Sequence, residues 1–221
     1  MFCKYAQDQG YEYVCVRSPD SDIFFILLHH ASSLSCSIII LFDTGTGNNK
    51  PLINMTSLAE NFTQEYCTAL TALYAFTYCN STSAFKGIGK VKPIKVMQKN
   101  PRFQRVLAKL GEEWCVPEEV ISSMEAFTCA IYRSSRVTSE DELRCILIKE
   151  KCESKSAKLR DLQNIDLCSF PSCRKALIQH ICSANYQMAI WRRANEPIIE
   201  VSSATDGHGW SNVDGEMVPL W

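Results

Sequence analysis

The polar and apolar positions change their spacing along the chain. Tyr13-Val14-Cys15-Val16 is a short β-type run that stops at Arg17-Ser18-Pro19. Asp20-Ser21-Asp22 follows, and Ile23 to Leu28 then runs without a polar interruption. That order suits a buried parallel strand that delivers a loop of carboxylates and then a helix start. Ile38 to Phe42 is a second β-branched run, and Lys50 to Asn54 is expected to return against it. Asp43-Thr44-Gly45-Thr46-Gly47-Asn48-Asn49 between them reads as a hairpin loop. From there the period becomes helical. Helices are expected over 56–66 and 67–78, the second carrying Leu70, Leu73, Tyr74 and Thr77 at three- and four-residue spacing. Asn100-Pro101 starts another, with Asn as cap, Pro at the first position and Gly111 as the stop. Pro117-Glu118-Glu119 opens a helix with Val120, Ile121, Met124, Phe127 and Ile131 inward. Ser139-x-x-Glu142 is a capping-box signature, and a last helix is expected from about Ser172 to Ala194. The layout is an α/β front half, an all-helical back half and a tail from Pro197 that is loosely packed or docked as a strap.

Composition narrows the class. Hydrophobic residues make up 46% and charged residues 21%, which excludes wholesale disorder and fibrous repeats. Twelve cysteines in 221 residues fall below the ~8–10% of a disulfide scaffold, and no C-x-x-C pair occurs. The first ten residues lack the basic-then-apolar pattern of a signal peptide. The cysteines are therefore expected to be reduced, mostly buried thiols in an intracellular protein. Ile23 to Phe42 lacks charge, but its His29-His30-Ala31-Ser32-Ser33 centre is polar, so no membrane span is expected.

Net charge is −1, from 23 basic and 24 acidic residues, but the average conceals a polarised segment. No Asp or Glu stands between Tyr66 and Gly111, a stretch that holds Lys86, Lys90, Lys92, Lys95, Lys99, Arg102, Arg105 and Lys109. Within it, Lys86-Gly87-Ile88-Gly89-Lys90 is a glycine turn before a basic helix. Glycines let backbone N–H groups approach a phosphate, and clustered cations neutralise it. Nucleic acid is the partner this implies, DNA ahead of RNA, with the nucleus favoured over the cytoplasm. No feature points to a protein partner.

Three stretches stand in a characteristic order: Ser18-Pro19-Asp20-Ser21-Asp22, Tyr78-Cys79-Asn80-Ser81-Thr82-Ser83-Ala84-Phe85 and Gly87-Ile88-Gly89-Lys90. Together they resemble the internal nuclease region of flap-endonuclease (XPG-type) proteins of the PIN-like superfamily. Over nearly the whole chain, with Ala184-Asn185-Tyr186-Gln187, Ile190-Trp191-Arg192-Arg193 and His208-Gly209-Trp210, the sequence is similar to uncharacterised, transposon-associated metazoan proteins carrying that domain. The resemblance implies a partial PIN-like parallel sheet with a helix-two-turn-helix over about 67–111. These make one domain over 1–112, followed by a helical region over 113–195 and an irregular tail over 196–221. It implies a metal-dependent phosphodiesterase site in which Asp20 and Asp22 hold Mg²⁺ or Mn²⁺. Lys86, Gly87, Ile88, Gly89, Lys90, Lys92 and Lys95 would grip the nucleic-acid backbone. The sequence departs from the pattern at Asn80, where a metal-binding Asp is usual. An earlier acidic motif belongs upstream of Met1, and the chain stops where the related proteins continue, so truncation at both ends is expected. The resulting expectation is a nuclease-derived, catalytically impaired domain.

Three other readings compete. Ile39-Ile40-Leu41-Phe42-Asp43-Thr44-Gly45-Thr46-Gly47 matches an aspartic-protease signature, which needs two such Asp residues. Cys168, Cys173, His180 and Cys182 could form a zinc module, although His180 and Cys182 fall inside an expected helix and point apart. A backbone-binding module without chemistry is the third, and Asn80 favours it.

Overall fold

The computed structural model describes residues 2–34, 38–45, 52–133, 136–154 and 166–220. The fold is mixed α/β and mostly helical. Helix α1 (Phe2–Asp8) precedes β1 (Tyr13–Arg17), α2 (Ser21–His30), β2 (Ile39–Asp43), β3 (Leu52–Asn54), α3 (Met55–Glu60) and α4 (Gln64–Thr77). Next come α5 (Val91–Lys99), α6 (Pro101–Lys109), α7 (Glu118–Tyr132) and α8 (Glu140–Ser154). A 3₁₀ turn (Leu167–Ser169), α9 (Arg174–Arg192), β4 (Trp210–Val213) and β5 (Glu216–Pro219) complete the order.

The first three strands form one sheet in the order β1-β2-β3. β1 and β2 are parallel, with Tyr13 opposite Ile39 and Arg17 opposite Asp43, and β3 returns antiparallel with Phe42 opposite Ile53. The expected β-runs therefore pair as their patterns imply. The parallel pair needs a crossover, and α2 supplies it by packing Leu27 and Leu28 with Ile40, Phe42 and Met55 in one cluster.

Helix α4 begins at the sheet and ends in the helical half. Cys67 belongs to the sheet cluster, whereas Leu73, Phe76 and their neighbours join Leu107, Met124, Phe127, Ile181 and Met188. Every residue of α4 from Cys67 to Thr77 is buried except Leu70, which packs against both clusters. Core residues from 69 to 191 thus share one cluster, so the core does not divide at 112. The expected break between helices at 66 lies earlier, at residues 61–63. Asn61 caps α3, and the Thr63 side chain accepts from the Tyr66 amide to start α4.

The other start and stop signals act as read. The Asn100 side chain accepts from the Arg102 amide, with Pro101 at the first position. Gly111 adopts φ +78° where a Cβ would come within 2.6 Å of Ala189 N, so only glycine fits. Ser139 Oγ accepts from the Glu142 amide at 3.4 Å. The tail is docked, and it also holds a hairpin that the sequence reading missed. Asp214 and Gly215 both take positive φ, as a two-residue turn between right-twisted strands requires. His208 is buried and stacks on Tyr186 at 4.9 Å, and its carbonyl accepts from Ser183 Oγ. No helix among the described residues is long and apolar enough to cross a membrane.

The cysteines depart from expectation. Cys3, Cys67, Cys79 and Cys129 are buried, but Cys15, Cys115, Cys145, Cys168 and Cys173 are exposed. Strand alternation explains Cys15, and polar helix or loop faces carry the others.

Candidate nucleic-acid interface

Strand β1 delivers Asp20 to the N-cap of α2, where its Oδ1 accepts from the Asp22 amide at 2.9 Å. Asp20 is exposed and Asp22, in the first turn of α2, is half-buried. Between them Ser21 Oγ lies 2.5 Å from Tyr74 Oη of α4. Phe25 stacks on the same ring at 4.0 Å, fixing its plane. Burial raises the Asp22 carboxyl above its ordinary value; a bond from Tyr74 and the charge of Lys90 work against that rise, while Asp20 adds to it. Burial likewise pushes the Tyr74 phenol up to about 12, so it stays protonated and donates.

Lys90 is the second half of the site. Its Nζ sits 3.6 Å above the Tyr74 ring and donates to the Tyr78 carbonyl at 2.7 Å. Burial lowers its pKa, opposed by Cys79 and Asp22 nearby. Tyr78 adopts φ +152°, a conformation L-residues rarely take and that costs about 1–3 kcal/mol. Thr82 holds the turn behind it. Its Oγ1 accepts from the Cys79 amide at 3.1 Å and donates to the Ala75 carbonyl at 2.5 Å. Ser81 Oγ donates to Gln187 of α9 at 2.5 Å.

The structure therefore brings Ser21, Asp22 and Lys90 together around Tyr74, while Asp20 caps α2 beside them. Asn80 lies exposed on the adjacent turn, and no hydrogen bond among the described residues joins it to either Asp. No group of three His, Cys, Asp or Glu among the described residues could hold a metal ion. Two carboxylates, one already capping a helix and the other bonded to Tyr74 under an ammonium's field, fall short of a two-ion centre.

The basic segment is less unopposed in space than along the chain. Lys86 pairs with Asp166 at 2.8 Å, and Lys109 with Glu119 at 3.5 Å. Lys92 donates to the Tyr132 carbonyl at 3.0 Å. Gly87 turns the chain at φ +76°, with Ile88 N donating to the Phe85 carbonyl, and Gly89 precedes α5. Lys95, Lys99 and Arg102 on α5 and α6 are exposed and have no acidic partner among the described residues. The sequence reading placed Lys90 with the free cations. The structure gives it internal partners instead, and adds Tyr74, Ser21 and Tyr78 to the site. Helical spacing marked Tyr74 as core, yet a buried tyrosine hydroxyl needs a polar partner, and that was its available signal.

The rival motifs lie elsewhere. Asp43 ends β2, 3.6 Å from Arg17 Nε, and its Oδ1 accepts from the Gly45 amide at 2.8 Å. Residues 46–51 lie outside the described ones, and the fold that holds Asp43 is mixed α/β rather than all-β. The zinc reading fails on His180. Its Nε2 meets the Phe76 carbonyl at 2.7 Å, and the ring packs edge-on to Phe76 and Phe85. His29 is held by Thr68 Oγ1 at 3.1 Å and His30 by the Trp191 carbonyl at 2.8 Å, which ties α2 to α4 and α9. No family model, curated protein or solved structure matches the chain.

Proposed function

We propose that the chain is a nucleic-acid-backbone-binding module of PIN-like, flap-endonuclease (XPG) type, derived from a metal-dependent nuclease and catalytically impaired. The observation that carries this reading is the meeting of two separate motifs. Ser21 and Asp22, in the Asp20-Ser21-Asp22 run at the C-terminal end of a parallel strand, share Tyr74 with Lys90, which follows the glycine turn. Carboxylates at a parallel-sheet edge beside a cationic turn suit phosphodiester chemistry. With Asn80 neutral, Mg²⁺ or Mn²⁺ is held weakly or lost, and binding outlasts cleavage. Lys95, Lys99 and Arg102 extend the contact along α5 and α6, where a phosphate backbone meets cations with no internal partner. DNA is the favoured polymer.

The test is fluorescence anisotropy with duplex and flap DNA, alongside a cleavage assay in Mn²⁺. Binding that weakens steeply with salt, without cleavage, is the expected outcome. Cleavage abolished by Asp20→Ala would refute the impairment, and binding insensitive to salt would refute the phosphate contact.

A further inference from the structure

We propose that the Lys90 ammonium is the resident cation of this cleft, taking the electrostatic place of a divalent ion between Asp22 and the Tyr78–Cys79 turn. The inference rests on the reading of the site given above and names how that site holds charge. The geometry comes from three elements. Helix α2 presents Asp22, α4 presents Tyr74, and the glycine turn sends Lys90 back over the Tyr74 ring at 3.6 Å. The Tyr78 carbonyl fixes the ammonium at 2.7 Å. Tyr78 reaches that position through a strained backbone, and the buried Cys79–Thr82 turn holds it there.

The charge balance agrees with this placement. Asn80 stands neutral where the resemblance puts a carboxylate, so one negative charge is missing. A monovalent ammonium across Tyr74 from Asp22, beyond ion-pair distance, supplies one positive charge rather than two. A divalent ion entering the cleft would meet Lys90 at short range, with only Asp20 and Asp22 to offset both. An ammonium has three donors. One goes to Tyr78 and the ring takes the cation's face, which leaves an N–H for a phosphate oxygen. Contact with the polymer here then needs no metal.

The experiment titrates Mn²⁺ alone into the full chain by electron paramagnetic resonance, for the wild type, Asn80→Asp and the Asn80→Asp/Lys90→Met double variant. Wild type and Asn80→Asp should show no saturable site. The double variant should bind one ion about tenfold or more tighter than either, and adding Asp22→Asn should abolish that. Saturable Mn²⁺ binding by wild type or by Asn80→Asp overturns the proposal, as does a folded double variant that gains no affinity. If the double variant does not fold, exposed Asn80→Asp decides alone: a saturable site overturns the proposal, and none supports it. DNA affinity measured in EDTA and in Mg²⁺ at matched ionic strength separates the two readings. Equal affinity supports a resident ammonium, and tenfold tightening by Mg²⁺ counts against it. No DNA binding in either would overturn the nucleic-acid reading and leave the Mn²⁺ titration to decide this one.

Discussion

Replacing Glu140 by Gln should stabilise the protein above neutral pH. Glu140 opens α8 and is fully buried. Its Oε1 accepts from Ser172 Oγ, while Oε2 has no partner among the described residues. Its own amide donates to Glu125 Oε1, and Arg174 neutralises Glu125 through a 3.0 Å contact rather than Glu140. Burial is the main cause that pushes the Glu140 carboxyl up to about 8; Glu125 and Asp141 add to it, against Ser172 and Arg144. The folded state therefore holds this proton more tightly than the unfolded chain, whose value is 4.5. Stability from the protonated form is complete below pH 4.5 and is lost as pH rises towards 8. At about 1.4 kcal/mol per pH unit, the loss reaches about 3 kcal/mol by pH 7. Glutamine keeps the acceptor for Ser172 and cannot ionise. Urea denaturation of both proteins from pH 5 to 8.5 checks this, with their difference as the readout. The variant's advantage should grow by about 3–4 kcal/mol through that range. Parallel profiles would refute the assignment of a buried, neutral Glu140.

Other expectations test other parts of the fold. In the Glu140→Gln background, stability should fall as pH drops below 6.5, because burial lowers His29 to about 3 and also lowers His30 and His180. The unfolded chain then takes up protons the folded state refuses, worth about 2 kcal/mol from His29 alone at pH 5; a flat denaturation midpoint there would contradict it. Gly111→Ala should cost about 2–4 kcal/mol, read by thermal unfolding, since its Cβ would meet the α9 backbone at 2.6 Å and its φ is +78°. Thr82→Val should cost about 2–3 kcal/mol by removing both bonds of a buried hydroxyl, and it should also weaken DNA binding by loosening the turn that holds Lys90.

Local chemistry made much of the fold legible. Alternating or β-branched runs marked β1 and β2, and the caps at Asn100, Gly111 and Ser139 act as their types require. What sequence alone did not give is what depends on distant partners. Lys86 finds Asp166 from 80 positions away, so an acid-free segment was not an unopposed one. Tyr74 shares one face with core aromatics and one edge with Asp22, a dual role that helical spacing cannot distinguish from burial. The Asp214-Gly215 turn was visible as a dipeptide, but its flanking strands are largely exposed and lack the apolar alternation that marks a hairpin.

The central claim is that α5 and α6 present free cations to a phosphate backbone. DNA affinity against salt, for wild type and for Lys95→Glu/Lys99→Glu/Arg102→Glu, tests it most directly. Each lost phosphate contact removes about 0.9 from the slope of log affinity against log salt. The wild type should show a steep slope, and the triple variant one shallower by roughly 2–3, whatever the DNA sequence. Identical slopes in two folded proteins would contradict the account.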